Sequence, residues 1–255
     1  LTVEYDGTAF SGLQFQPNQR TVAGELESAL SGLFNEPVKI TAAGRTDAGV
    51  HASGQVVSFT TARSSFPFER LALALNSALP ADISVRDAAI VPESFSARFS
   101  ASGRTYVYAI FNRPEPSALL RRYAYHVWAP IDLDRFGDAG AALVGKHDFR
   151  SFCATLPEGG NTVRTISSLT VRRSGDLIRV QVGADAFLHR MVRAIVGTLI
   201  ECGTGRRDPA LVAALLAARN RAASGLTAPA HGLYLAGVRY RDGYDSYAEP
   251  PLFET

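Results

Sequence analysis

The chain has 255 residues, 46% hydrophobic and 20% charged, enough for one large core or two smaller ones. No apolar run reaches the ~20 residues a bilayer span needs, nothing resembles a secretory leader, and Cys153 and Cys202 are too few for a disulfide framework or a zinc site. A net charge of +2 does not by itself indicate a nucleic-acid partner.

A reducing cytoplasm is the simplest compartment for such a chain. Leu1-Thr2-Val3-Glu4-Tyr5 opens directly as a strand without an initiator Met, as expected of a trimmed chain. Lys39 and Lys146 are the only lysines, so the 26 basic residues are nearly all arginine. A GC-rich genome accounts for that total. Particular clusters stay open to a reading as RNA contacts, because guanidinium groups suit phosphate and base stacking.

In chain order, the first half reads as a strand near 1–6, a helix near 21–34, strands near 37–43 and 54–61, a helix near 67–78 and a strand near 82–91. Leu26, Ala29, Leu30 and Leu33 share one helical face, and Leu71, Leu75 and Leu79 another. Pro67 suits the first turn of the second helix. The second half reads as strands near 104–112, 164–173, 176–184 and 234–241, with helices near 132–144, 187–202 and 208–222. Ser174-Gly175 separates two strands as a tight turn does. Short turns between neighbouring strands predict an α+β fold with a largely antiparallel sheet rather than a doubly wound parallel one. Two similar α/β halves, 1–103 and 104–255, are expected to share that sheet and to leave a central cleft.

Chemistry concentrates in Ala43-Gly44-Arg45-Thr46-Asp47-Ala48-Gly49-Val50-His51-Ala52. One carboxylate, Asp47, sits in a glycine-hinged loop between two strand sequences, where functional groups are often displayed. Taken alone, the run is equally an ordinary Asp-Gly turn. An aspartate in water is ionised at neutral pH and can act as nucleophile or base. On the helix near 187–202, Arg190, Arg193 and Gly197 share the one face left over by apolar residues. Arg193 therefore needs a charged partner, for which a surface acid such as Asp185 is a candidate. Tyr106 and Tyr108 alternate on a strand, where at least one could be simple core.

Four segments matter together: Tyr5-Asp6-Gly7-Thr8-Ala9-Phe10-Ser11-Gly12-Leu13-Gln14-Phe15-Gln16; Gly44-Arg45-Thr46-Asp47-Ala48-Gly49-Val50-His51; Ala97-Arg98-Phe99-Ser100-Ala101-Ser102-Gly103-Arg104-Thr105-Tyr106-Val107-Tyr108; and Phe187-Leu188-His189-Arg190-Met191-Val192-Arg193-Ala194-Ile195-Val196-Gly197. In content and order they resemble the TruA family of tRNA pseudouridine synthases, a likeness running to Gly232-Leu233-Tyr234-Leu235. The resemblance implies a pseudouridine-synthase-like fold and an isomerase acting on uridines 38 to 40 of the tRNA anticodon stem-loop. It further implies base flipping, no cofactor or metal, no membrane, and a homodimer gripping tRNA. It assigns Asp47 as the essential catalytic residue, Arg193 as its ion-pair partner, and Tyr106 as the ring that packs on the target base.

Arg45 is a candidate for filling the gap left by the flipped nucleotide, although bracing the loop is an alternative. His51 is either an RNA contact or a hydrogen-bonded loop residue. Arg98, Arg104, Arg190 and the Arg121-Arg122 pair are candidates for phosphates. Asp6 is expected to shape its turn rather than act as a second acid. Leu13, where the family commonly has Trp, and Ser96, where it often has His, put details of RNA contact in question. Two rivals differ in class: a noncatalytic tRNA-binding or folding module on the same scaffold, and a nucleoside or glycoside hydrolase. The second would need a paired carboxyl group, and no other acid lies in an equally marked motif.

Overall fold

The computed structural model describes residues 1–63 and 66–253 and divides into two compact units, Leu1–Ser102 with the segment from Tyr234, and Gly103–Leu233. Among the described residues, no helix is long and apolar enough to cross a membrane.

The first unit is built on β1 (Thr2–Tyr5), β2 (Thr41–Ala42), β3 (His51–Ser58) and β4 (Ile83–Asp87). β1 lies between β3 and β4, antiparallel to both, and β2 is antiparallel to β3. Two helices accompany them, α1 (Val22–Phe34) and α2 (Leu71–Ala78). Thr21 starts α1 by accepting the Gly24 amide on its hydroxyl at 3.2 Å, and Asn35 ends it in the left-handed conformation at φ 53°. Val22, Leu26, Leu30 and Phe34 form the buried stripe of α1, whereas Ala29 and Leu33 are only half-buried. Leu71, Leu75 and Leu79 are buried as their spacing predicts. Phe34 is further enclosed by Phe59, Phe66 and Phe68, with ring centroids 5.3 to 6.3 Å away.

The strand expected over 37–43 is reduced to Thr41–Ala42. The backbone before it is claimed by α1 side chains: Val38 donates its N–H to Ser31 Oγ at 3.0 Å and Ile40 to Glu27 Oε1 at 3.2 Å. Amides satisfied in that way do not join a ladder.

The second unit contains β5 (Ala101–Asn112), β6 (Tyr125–Val127), β7 (Gly145–Asp148), β8 (Val163–Ser174) and β9 (Leu177–Ala184), with α3 (Leu133–Ala141), α4 (Met191–Gly203) and α5 (Val212–Ala218). Antiparallel pairing runs β5-β9-β8-β7, and β6 lies parallel to β5. The β8–β9 hairpin turns at Gly175, whose φ is +56°. β10 (Leu233–Tyr240) returns the chain to the first unit, parallel to β3, and β11 (Ser246–Tyr247) adds antiparallel to β10. Residues 234–253, expected with the second half, thus fold with the first, because β10 finds its parallel partner in β3. Both units mix helices with mainly antiparallel strands, an α+β fold.

α4 is the centre of the second core. Every residue from Met191 to Gly203 is buried except Arg193 and Glu201, the two that carry charge. Segment 225–228 packs directly on it: Gly225 donates its N–H to Thr198 Oγ1 at 2.9 Å, and Ala228 to the Arg193 carbonyl at 3.0 Å. That approach requires glycine at 197, because a Cβ there would lie 1.7 Å from the Leu226 carbonyl oxygen. Gly197→Ala is expected to displace the segment and lower stability by about 1–3 kcal/mol, read from the urea midpoint. Gly32→Ala on α1 is the control, since its Cβ meets nothing within 4 Å; it should stabilise by about 0.5–1 kcal/mol.

Candidate active site

In the first unit, the loop between β2 and β3 is held from beneath by a buried polar cluster. The Tyr5 phenol on β1 shares a 2.7 Å hydrogen bond with Thr46 Oγ1. Gln55 on β3 donates its amide to the Gly44 carbonyl at 2.8 Å and accepts the Gly44 N–H at 3.3 Å. Leu13 donates its N–H to the Thr46 carbonyl at 3.0 Å, and Val50 closes the turn onto the Asp47 carbonyl at 3.1 Å. Gly49 takes a φ of +76°, a conformation that favours glycine. Thr46 is drawn inward, leaving Arg45 exposed and Asp47 half-buried on either side of it. Burial pushes the Tyr5 phenol up to about 12, against the opposing effect of its bonds to Thr46 and Gln55. Tyr5 therefore remains a neutral hydrogen-bonding group across physiological pH.

His51 does not present itself to RNA. The side chain is only 2% exposed, its Nδ1 accepts the Gly7 N–H at 3.0 Å, and its ring stacks on Tyr234 with centroids 4.9 Å apart. The expectation of an RNA contact is corrected to a structural role. The strand that follows the Asp47 loop begins at this residue and buries it. Asp6 shapes its own turn, accepting the Thr8 N–H at 2.9 Å and the Thr8 hydroxyl at 2.6 Å on Oδ1. Leu13 is buried beneath the loop. Arg98 is exposed, its guanidinium 5.1 Å from the centre of the Phe99 ring, itself 79% exposed.

In the second unit, Tyr106 lies on β5 opposite Val182 and meets the edge of Phe187 at 5.1 Å. Tyr106 is itself buried, at 8% exposure; Tyr108, on the same strand face, is fully enclosed, and its hydroxyl donates to the Pro229 carbonyl at 2.8 Å. Burial raises the Tyr108 phenol well above the ordinary range, while the positive charge of Arg193 works against that rise. Arg193 donates Nε to the Ala228 carbonyl at 2.7 Å. Segment 228–229 thus touches both side chains, and fixes the guanidinium on one edge.

Arg104 is half-buried and donates to the Asp185 carbonyl at 3.1 Å. The Asp185 carboxylate takes the amides of Thr165 at 3.0 Å and Ala186 at 2.7 Å. Arg190 differs from expectation. The helix begins at Met191, and Arg190 precedes it in the left-handed conformation at φ 59°, so it does not continue the helical face of Arg193 and Gly197. Residues 187–190 form a turn instead, closed by the Met191 N–H onto the Leu188 carbonyl.

Sequence reasoning gave no role to Gln55, to the phenol of Tyr5 or to the Ala228-Pro229 carbonyls. A glutamine inside the apolar run of β3 was the available signal, because a fully buried amide needs partners. Backbone carbonyls carry no such signal.

Comparison with known proteins identifies the family. The profile described as tRNA pseudouridine synthase matches residues 1–100 and 139–241. The chain is 49% identical over 234 residues to tRNA pseudouridine synthase A of Halalkalibacterium halodurans, covering 91% of this chain and 89% of the relative. It is 44% identical over 254 residues to that of Methylococcus capsulatus, covering 100% and 93%. With that of Bacillus subtilis it shares 43% over 241 residues, covering 94% and 97%. With motifs, profile and full-length relatives in agreement, the chain belongs to the TruA family of tRNA pseudouridine synthases and is an isomerase.

Proposed function

We propose that the protein converts uridine to pseudouridine in the anticodon stem-loop of tRNA, at positions 38 to 40, with Asp47 as the reacting carboxylate. Uridine isomerises when its N1–C1′ bond breaks and a C5–C1′ bond forms. The C5 proton leaves and N1 takes one up, so the atoms balance without an external donor and no cofactor enters the scheme. Asp47 acts as nucleophile or base on the everted nucleotide. Arg193 supplies the positive charge that pairs with the carboxylate, and Tyr106 packs on the flipped base. Eversion costs a few kcal/mol, and aromatic stacking returns about 1–3 kcal/mol of it.

The observation that carries this reading is the loop at Asp47, fixed upstream by the bonds of Gln55 to Gly44 and of Tyr5 to Thr46, and closed downstream by Val50. A carboxylate needed only to terminate a turn requires no such support. Arg45, Arg98, Arg104 and Arg190 belong to the same proposal as RNA contacts, supported by exposure of all but the half-buried Arg104. A homodimer gripping one tRNA is part of it too, supported by the exposed apolar side chains of Leu119 and Trp128.

The direct test incubates unmodified tRNA with the protein and maps modified uridines. Pseudouridine at positions 38 to 40 is expected without added cofactor; release of free uracil would favour a hydrolase. Asp47→Asn should lower turnover by at least about a hundredfold while tRNA affinity and the melting temperature stay near wild type. A noncatalytic binding module predicts no pseudouridine from either protein. Arg193→Lys keeps the charge but loses the planar fork that reaches Ala228, and should lose most of kcat with KM little changed.

Tyr5 is a positioning residue. Tyr5→Phe should lower kcat about tenfold without raising KM, because it loosens Thr46 next to the carboxylate. Its pH signature follows from the raised pKa. Below pH 10 the phenol is protonated in both folded and unfolded chains. Between pH 10 and about 12 only the folded chain retains the proton. Over that interval wild type should therefore lose stability faster than Tyr5→Phe, by about 1.4 kcal/mol per pH unit.

A further inference from the structure

The second unit carries a basic cavity remote in sequence from every motif above. Its volume is about 310 Å³, and Arg150, Arg219, Asn220 and Arg221 line it, with Cys153 and Ala154 forming one wall. Arg150 opens the short turn after β7, and Arg219 ends α5 in the left-handed conformation at φ 49°. Ser151 locks these two segments together, donating its hydroxyl to the Leu215 carbonyl and accepting the Asn220 N–H at 2.9 Å.

Two of the guanidinium groups are held in place. Arg221 donates to Ser224 Oγ at 2.7 Å, to the Gly225 carbonyl at 3.1 Å and to Thr227 Oγ1 at 2.7 Å. Arg219 Nε lies 3.0 Å from Asp148 Oδ2. The other oxygen of Asp148 takes the Arg150 N–H at 3.1 Å and the Thr162 hydroxyl, which hold the carboxylate ionised, so it offsets one positive charge among the three lining arginines. A fourth arginine, Arg164, acts electrostatically on Cys153 as Arg150 does, and its Nε is buried without a hydrogen-bond partner. Arg164 does not line the cavity, and its terminal nitrogen donates to the Asn161 and Val163 carbonyls, so it adds positive charge near Cys153 while Arg150, Arg219 and Arg221 supply the lining guanidinium groups. Planar forks of this kind match phosphate oxygens. The Ala154 N–H also binds the His189 carbonyl at 3.0 Å, which joins the cavity wall to the turn that leads into α4 and Arg193.

We propose that this cavity binds phosphodiester groups of the RNA substrate, away from the target nucleotide, and so positions tRNA on the second unit. The proposal rests on tRNA being the substrate. A ligand there neutralises charge rather than reading base edges, so its contribution is expected to be independent of sequence and sensitive to salt.

The test compares wild type with Arg150→Gln/Arg219→Gln and Arg150→Lys/Arg219→Lys, after melting curves establish that all three fold. Kd for unmodified tRNA is measured against salt, and inorganic phosphate is titrated separately. The glutamine pair should weaken tRNA binding about tenfold at low salt and reduce the slope of log Kd against log salt by about two. The loss should fall on KM rather than kcat. The lysine pair should retain most of the slope, since a phosphate accepts a point charge and a purely structural arginine does not yield to one. An unchanged slope in the glutamine pair overturns the proposal. So does loss of inorganic phosphate binding with tRNA affinity intact, which would make the cavity a site for free phosphate. If wild type forms no pseudouridine in tRNA, the functional reading itself fails, an outcome distinct from either of these.

Discussion

The buried contact of Tyr5, Thr46 and Gln55 is the constraint on which the Asp47 loop depends. Each group is polar, each is removed from water, and each would be destabilising without its partners. Because the three come from β1, the loop and β3, satisfying them fixes the loop against a paired sheet rather than against solvent. A carboxylate on a turn normally samples many directions. Here the residue before Asp47 is anchored by side chain and carbonyl, and its own carbonyl closes the turn to Val50. Rigidity beneath the loop limits how far its backbone can move.

The second unit solves the same problem with backbone. α4 is almost wholly apolar, so it has little side-chain chemistry with which to orient Arg193. Segment 225–229 supplies what the helix lacks. It is admitted by Gly197, tied by Thr198 and Glu201, and returns a carbonyl to the guanidinium and another to the Tyr108 phenol. A buried tyrosine and a charged arginine are thereby fixed by neighbouring peptide units. Movement of either would leave a buried polar group unsatisfied.

Much of this was legible in the chain. The i, i+4 stripe of α1, the leucines of α2 and the long β5, β8 and β9 strands follow from periodicity, and the Ser174-Gly175 turn follows from glycine chemistry. What escaped was set by partners distant in sequence. The strand at 37–43 lost its amides to Ser31 and Glu27, which no local pattern announces. β6, β7 and β11 span only two to four residues, too few for alternation to register. The spacing of Arg190 fits a helix, yet the chain turns left-handed there and the helix begins one residue later. His51 follows the acidic loop in sequence, but strand pairing carries it inward against Tyr234. The motif marks the loop at Asp47 and the helix at Arg193, but it does not disclose the hydrogen bonds that hold these segments.

Arginine usage also gains meaning from the structure. A composition almost without lysine would be satisfied by genomic bias alone, and many of these side chains would then be interchangeable with lysine. Several are not. Arg135 spans the carbonyls of Cys202 and Arg207, and Arg173 joins Asn112 to the Ile131 carbonyl. Arg207 bridges Glu201 and the Ala223 carbonyl. Arg135 and Arg207 each use separate nitrogens of one planar fork, a geometry that an ammonium on a flexible stem does not reproduce, whereas Arg173 reaches both of its acceptors through one terminal nitrogen. These arginines do the work of structural cross-links and are removed from any count of RNA contacts. What is left for a polyanion is a smaller set, identified by where its side chains face rather than by how many the chain contains. Genomic bias can set the number of guanidinium groups, but only the fold decides which of them remain available to phosphate.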